Sequence, residues 1–189
     1  GTVTVVPRPD IRDLKWSQET VARGDVVSLS ATVKGATEGE DASIRVFEHD
    51  AGGAHDPVAE LPATVKGGRV ELQWEFQYFG DVDAIKTQAQ LDPFGAKYQA
   101  PSYFFTVKVR GHEVGRRQES KLLPFQDSIE LTLVADDGRP LEGAKATLIT
   151  ADGTSHDVEA DADGFVRLEA VAPGPLQLQL RDAGDGTST

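Results

Sequence analysis

Apolar side chains occupy every second position in the run Val70-Glu71-Leu72-Gln73-Trp74-Glu75-Phe76-Gln77-Tyr78. A repeat of two sends the apolar set to one face of an extended strand and the polar set to the other. Wound as a helix, the same residues would scatter around its circumference. The run predicts a half-buried antiparallel strand. The pattern recurs at Val27, Leu29, Ala31 and Val33, at Ile44 and Val46, and at Tyr103, Phe105, Val107 and Val109. Glycine- and proline-bearing breaks at 35–39, 52–53, 67–68, 93–95 and 111 separate these stretches. Residues 83–91 fit a helical turn or an irregular strand. Short strands at regular spacing, with almost no helical periodicity, predict a β-sandwich.

A second series begins near Phe125. Ile129, Leu131 and Leu133 alternate with polar residues, as do Leu176, Leu178 and Leu180. Turns are expected at Asp136-Asp137-Gly138-Arg139-Pro140, Asp152-Gly153, Asp161-Ala162-Asp163-Gly164 and Pro173-Gly174-Pro175, where glycine supplies the left-handed backbone that tight turns need. The expected fold class is all-β, with two β-sandwich domains in tandem. The expected boundaries are a first domain over 1–110, a polar, basic connector over 111–126, a second domain over 127–181 and a flexible tail over 182–189. About 55 residues is a marginal size for a sandwich by surface-to-volume scaling.

Charge sharpens the division. The 189 residues carry 31 acidic and 19 basic side chains, net −12; 18 acidic and 15 basic fall in residues 1–124, against 13 and 4 in residues 125–189. Nucleic acid is a poor partner for such a surface, because its binding rests on clustered Lys and Arg. An anionic membrane is disfavoured for the same reason. No apolar run reaches the length of a membrane span, and Gly1-Thr2-Val3-Thr4 lacks the basic-then-apolar start of a secretory signal. The chain has no cysteine, which removes disulfides, thiolate nucleophiles and cysteine-ligated metals. It also has no asparagine, and so no N-linked glycan acceptor.

Candidate chemistry is sparse. Ser155-His156-Asp157 contains the letters of a hydrolase triad, but neighbours on a strand point to opposite faces and cannot converge. The acidic turns at 38–41, 81–83 and 161–164 supply oxygen ligands for calcium, but too few for a hard-cation site; they read as solvated turns whose aspartates bond their own backbone. His49 and His55, with Asp50 and Asp56, are the nearest approach to a metal cluster and lack a recognised ligand spacing. Arg23-Gly24-Asp25 reads as a strand entry, and no phosphate-cradling glycine loop is present. No catalytic residue, metal or cofactor is expected. Phe79 and Phe104 fall on the face opposite the core set of their runs. They are candidate interaction residues, since exposed aromatics favour contact surfaces.

The second series resembles the transthyretin-like, or carboxypeptidase-regulatory-like, sandwiches. The resemblance rests on Asp137-Gly138-Arg139-Pro140-Leu141-Glu142-Gly143-Ala144, Asp161-Ala162-Asp163-Gly164-Phe165 and Val171-Ala172-Pro173-Gly174. It implies structural turn roles for Gly138, Pro140, Gly143, Asp163, Gly164, Pro173 and Gly174. The first series, with Ala22-Arg23-Gly24-Asp25-Val26 and Gly67-Gly68-Arg69-Val70 before Trp74, is similar to bacterial immunoglobulin-like modules. Their order resembles tandems associated with the type VI secretion spike and its effectors. That implies a non-enzymatic adaptor with a spike subunit or effector as its protein partner, assembled in the bacterial cytoplasm and exported through the injection apparatus. No spike-forming β-helix repeat or tip domain accompanies it. The alternative is a carbohydrate- or cell-wall-binding accessory module of a secreted enzyme, with Trp16 or Tyr98 stacking on sugar.

Overall fold

The computed structural model describes residues 6–181. The expected tail over 182–189, and the first five residues of the expected 1–110 domain, lie outside the described residues. The fold is all-β. The strands are β1 (Asp10–Trp16), β2 (Val26–Lys34), β3 (Asp41–Glu48), β4 (Asp56–Thr64), β5 (Arg69–Glu75), β6 (Ser102–Val109), β7 (His112–Val114), β8 (Leu123–Pro124), β9 (Asp127–Thr132), β10 (Lys145–Ile149), β11 (Ser155–Glu159), β12 (Phe165–Val171) and β13 (Gln177–Leu180). The open alternative at residues 83–91 resolves to helix: a single turn α1 (Gln88–Leu91) between 3-10 turns at Val82–Ala84 and Asp92–Phe94.

Two compact units result, and they do not divide the chain in sequence order. The first holds the chain up to Gln77 together with Pro101–Phe125; the second holds Tyr78–Ala100 and the chain from Gln126 onward. Two expectations change. Residues 78–100 leave the 1–110 domain and belong to the second unit. The 111–126 segment is strand-bearing structure of the first unit, since β7 pairs with the last residues of β6 and β8 with its first two.

In the first unit, an antiparallel sheet β1-β2-β5 faces a sheet β4-β3-β6-β7, with β8 also on β6. Val27, Leu29, Ala31 and Val33 of β2 turn inward and are buried, opposite buried Ile44, Val46, Phe105 and Val107. Period-two alternation thus fills the core from both layers. An aromatic cluster closes one part of it. Trp16 meets Phe105 edge-on at 4.8 Å, and Phe76 packs on Tyr103 at 5.1 Å and on Phe125 at 5.3 Å. Each fully buried Phe contributes roughly 2–3 kcal/mol by removal from water.

The hairpin from β6 to β7 turns on Arg110 (φ 48) and Gly111 (φ 74), the two-residue geometry whose twist matches antiparallel strands. Arg110 accepts this backbone while its guanidinium forks onto Glu40, Nε to Oε1 at 2.8 Å and Nη2 to Oε2 at 2.6 Å. Those bonds, followed by the Thr37 N–H, hold the Glu40 carboxyl below its ordinary range. A lowered carboxyl contributes stability that is complete above its unfolded pKa and lost as pH falls through its folded one.

In the second unit, β10 lies between β11 and β13, and the other layer is the pair β9–β12. Leu133, Ala146, Leu148, Ala160 and Val166 form its buried core. Residues 78–100 are tied to this unit by the Gln88 N–H, which donates to the Ala151 carbonyl (2.6 Å), and by the Tyr98 hydroxyl, which donates to the Pro173 carbonyl (2.6 Å). Urea denaturation from neutral pH down to about pH 3, through the carboxylate range, checks the Glu40 link. Glu40→Gln is expected to lower stability at neutral pH and flatten its fall in acid; an unchanged profile would contradict the assignment.

Candidate functional site

The first unit carries a groove of about 560 Å³ beside β1. Half-buried Trp16 forms its aromatic wall, and its indole N–H donates to the Lys121 carbonyl at 3.2 Å. Asp13, Lys15, Gln18, Glu119 and Lys121 bring donors and acceptors of both charges to the same space. Buried Ser120 fixes the far wall: its Oγ accepts from the Phe105 N–H (3.2 Å) and donates to the Lys121 carbonyl (3.1 Å).

Backbone strain gathers here. β1 bulges between Arg12 and Lys15, where Asp13 takes φ 55, and Gln118 (φ 61) and Lys121 (φ 63) bend the opposite wall. Left-handed backbone costs a non-glycine residue about 1 kcal/mol or more, and such residues persist where packing over-determines them. Two of the five positive-φ non-glycine residues among the described residues, Asp13 and Lys121, line one groove, and a third, Gln118, directly precedes its wall residue Glu119. Chemically, an aromatic wall ringed by mixed polar groups suits a neutral, polyhydroxylated or mixed-charge ligand. No periodicity in the sequence announced it, because its walls meet only through tertiary structure.

The two candidate interaction residues part company. Phe79 is 91% exposed, in the 78–100 segment. Phe104 is fully buried, which corrects the expectation that it lines a contact surface. Its cross-strand partner Phe47 stacks on it at 5.3 Å, His55 meets it edge-on at 4.9 Å, and the Arg116 guanidinium sits 4.6 Å over the Phe47 ring. The outer face of β6 thus carries a second buried cluster. Sequence reading passed over Phe94, 83% exposed in the same segment as Phe79, because it sits in the Asp92-Pro93-Phe94 turn without any alternation.

In the second unit the structure places Gly138, Gly143, Gly164 and Gly174 at positive-φ positions. Pro140 bridges to Val134, and the Pro173 carbonyl receives the Tyr98 hydroxyl. Asp163 is not the capping aspartate of its turn. Asp161 is: its Oδ1 accepts the N–H groups of Asp163 (2.9 Å) and Phe165 (2.8 Å). Asp81 works alike, its Oδ1 accepting from the Asp83 N–H, whereas Glu38 reaches another loop, its Oε2 accepting from the Gly67 N–H. Tyr98 is half-buried, and burial, then the charge of Asp152, pushes its phenol above the usual range, so the hydroxyl keeps its proton and remains a donor.

Ser155, His156 and Asp157 stand consecutively on β11 opposite Ile149, Leu148 and Thr147, so His156 faces inward with Leu148 while its neighbours face out. Asp157 pairs with Arg181 and receives the Thr147 hydroxyl. His49 and His55 stack at 5.2 Å, with His55 Nδ1 accepting the Asp50 N–H at 3.0 Å. Among the described residues, no three His, Asp or Glu side chains converge as a metal-ligand set. In Arg23-Gly24-Asp25, the aspartate is spent on its own turn, accepting the Ala22 N–H at 2.8 Å.

No protein-family model matches the chain, and no curated protein does. Among solved structures it shows distant likeness to the alkylpurine DNA glycosylase AlkC of Pseudomonas fluorescens bound to abasic-site DNA (12% identity, TM-score 0.34, 62% of this chain and 30% of that one). It shows similar likeness to alpha-2-macroglobulin of E. coli in its native conformation (9%, 0.40, 90% and 13%). A chimeric titin Z1Z2 tandem is a third (11%, 0.26, 90% and 92%). The chain spans less than a third of the length of the first two. Similarity this distant carries no argument about activity.

Gly164 and Gly138 separate backbone strain from steric conflict. At Gly164 (φ 72) a Cβ would lie 2.4 Å from the Leu133 carbonyl oxygen, whereas at Gly138 (φ 81) it would meet open space. Gly164→Ala is expected to cost about 3 kcal/mol and Gly138→Ala about 1 kcal/mol. Urea denaturation of the whole chain measures both, and equal costs would contradict the contact at Leu133.

Proposed function

We propose that this protein is a non-enzymatic adaptor that mediates protein–protein contacts in a bacterial contractile injection (type VI secretion) spike or in loading its cargo. The observation that carries the reading is the pair of exposed phenylalanines, Phe79 and Phe94, held on the 78–100 segment. Exposing large aromatic side chains is unfavourable for a free surface, and aromatics are over-represented among residues that dominate protein interfaces. Two bonds, Gln88 to Ala151 and Tyr98 to Pro173, tie the segment to its unit on either side of Phe94, so little order has to be gained there on docking. The motif combination at residues 128–180 and the order of the two sandwiches supply the resemblance that names the spike subunit or effector as partner.

A second reading draws on the Trp16 groove. Its aromatic wall and mixed polar rim suit a glycan, as in a cell-wall-binding accessory module of a secreted enzyme.

Two measurements check these readings. In pull-down with spike subunits and effectors of the source bacterium, Phe79→Ala combined with Phe94→Ala is expected to weaken capture about tenfold or more, with unchanged thermal stability. No capture by the unaltered chain sinks the adaptor reading. For the glycan reading, tryptophan fluorescence titrated with soluble peptidoglycan fragments is expected to saturate and to weaken about tenfold in Gln18→Ala. A flat titration removes that reading.

A further inference from the structure

We propose that the open edge of β13 is a strand-acceptor site for an extended basic segment of a protein partner. This rests on the adaptor reading and names the kind of segment the adaptor would take. Among the described residues, β13 pairs with β10 and with no other strand. Leu178 stands opposite Leu148 and Leu180 opposite Ala146, and paired residues share a face, so both leucines lie on the core side of the sheet. Leu148 and Ala146 are buried, but Leu178 is 44% and Leu180 57% exposed. A three-stranded sheet faces a two-stranded one, and the inner face of its edge strand is left uncovered.

The backbone is open on the same residues. The Arg181 N–H donates to the Lys145 carbonyl at 2.9 Å, which makes that pair the hydrogen-bonded type. The types alternate along an antiparallel ladder, so Gln179 and Gln177 aim their N–H and C=O groups at β10, while Leu178 and Leu180 aim theirs outward. Nor is the strand frayed at this end: Arg181 reaches back across the sheet to Thr147 Oγ1 and Asp157.

Edge strands are ordinarily guarded by charge, proline or a bulge. β4 carries Pro57, Pro62 and an irregular register, and β1 carries Arg12, Lys15 and its bulge. Among the described strands, β13 (Gln-Leu-Gln-Leu) is the one that carries no charge and no proline. Charge selects the occupant. The second unit holds 16 acidic and 6 basic residues, net −10, so a second copy would bring the same charge to the edge. A basic strand with apolar side chains at alternate positions satisfies the outward backbone groups, covers the leucines and is drawn in by the field.

The test uses the full chain and the peptide acetyl-Lys-Val-Lys-Val-Lys-Val-Lys-amide, with a control in which the central valine is replaced by proline. Amide hydrogen exchange at Leu178 and Leu180 is expected to slow when the alternating peptide is added and not with the proline control. Leu178→Lys is expected to weaken binding about tenfold, and Leu180→Lys serves should that variant fail to fold. Exchange unchanged by the peptide, or equal binding of the proline control, would overturn the proposal. Self-association of the free chain that slows exchange at these two amides would also overturn it, in favour of a second copy. Capture of a spike subunit or effector without protection of the edge overturns strand addition and leaves the adaptor reading standing. Edge protection without capture supports the acceptor site and counts against the adaptor reading.

Discussion

The second sandwich depends on contacts from a stretch of chain that departs between two strands of the first. Gln88 is the pivot: its backbone N–H bonds Ala151, and its side chain reaches the Ala96 carbonyl at 3.0 Å and receives the Tyr98 N–H at 2.8 Å. Tyr98 then closes onto Pro173. A four-residue helix has no stability of its own, since nucleation costs more than one turn returns. α1 exists because the reciprocal cap between Thr87 and Gln90 and these tertiary bonds hold it. The reason for the excursion is size. A sandwich built only from the chain after residue 125 would bury a smaller fraction of its surface than a larger domain does, and added chain improves that ratio. Contacts as distant in sequence as Tyr98 and Pro173, 75 residues apart, must close before the unit is complete, which places it among topologies that fold slowly.

How much of this was legible in the sequence follows from which faces are covered. β5 was legible because Val70 is buried, Leu72 and Trp74 are part-buried, and Arg69, Glu71 and Gln73 are exposed. β6 was legible as a strand and misleading as a surface. Its outer side is roofed by Phe47, His55 and Arg116, so Phe104 is buried although the alternation points it outward. The 111–126 segment looks like a connector because it is polar, but its polar groups are put to structural use: Glu113 receives the Thr106 hydroxyl at 2.7 Å, and Arg116 covers an aromatic ring. The 78–100 excursion left no periodic trace, and neither did the Trp16 groove, whose two walls are about a hundred residues apart. At the Asp-x-Asp-Gly turn, composition showed that an aspartate caps the backbone. The geometry of the turn shows that it is the first one, Asp161.

Turn chemistry contributes to the negative charge of both units. In the first, Glu40 is neutralised by Arg110, while Asp25 and Glu38 bond backbone N–H groups. In the second, Asp137 pairs with Arg139 and other turn aspartates bond N–H groups. Asp161 takes two, Asp152 takes the Thr154 N–H with the hydroxyls of Thr150 and Thr154, and Asp81 takes the Asp83 N–H. An N–H group satisfies a carboxylate's lone pairs without cancelling its charge, so a sandwich built on such turns accumulates negative potential as a by-product of folding. That potential acts over about one Debye length, roughly 8–10 Å in physiological salt, which spans the width of an added strand. A lysine on β13 would guard the edge against every strand alike. Net charge instead guards it selectively, repelling acidic chains, including copies of this one, and admitting basic ones. The bare Gln-Leu-Gln-Leu edge and the acidic turns are then parts of one arrangement, in which the turns that close the sandwich also govern what its open side can accept.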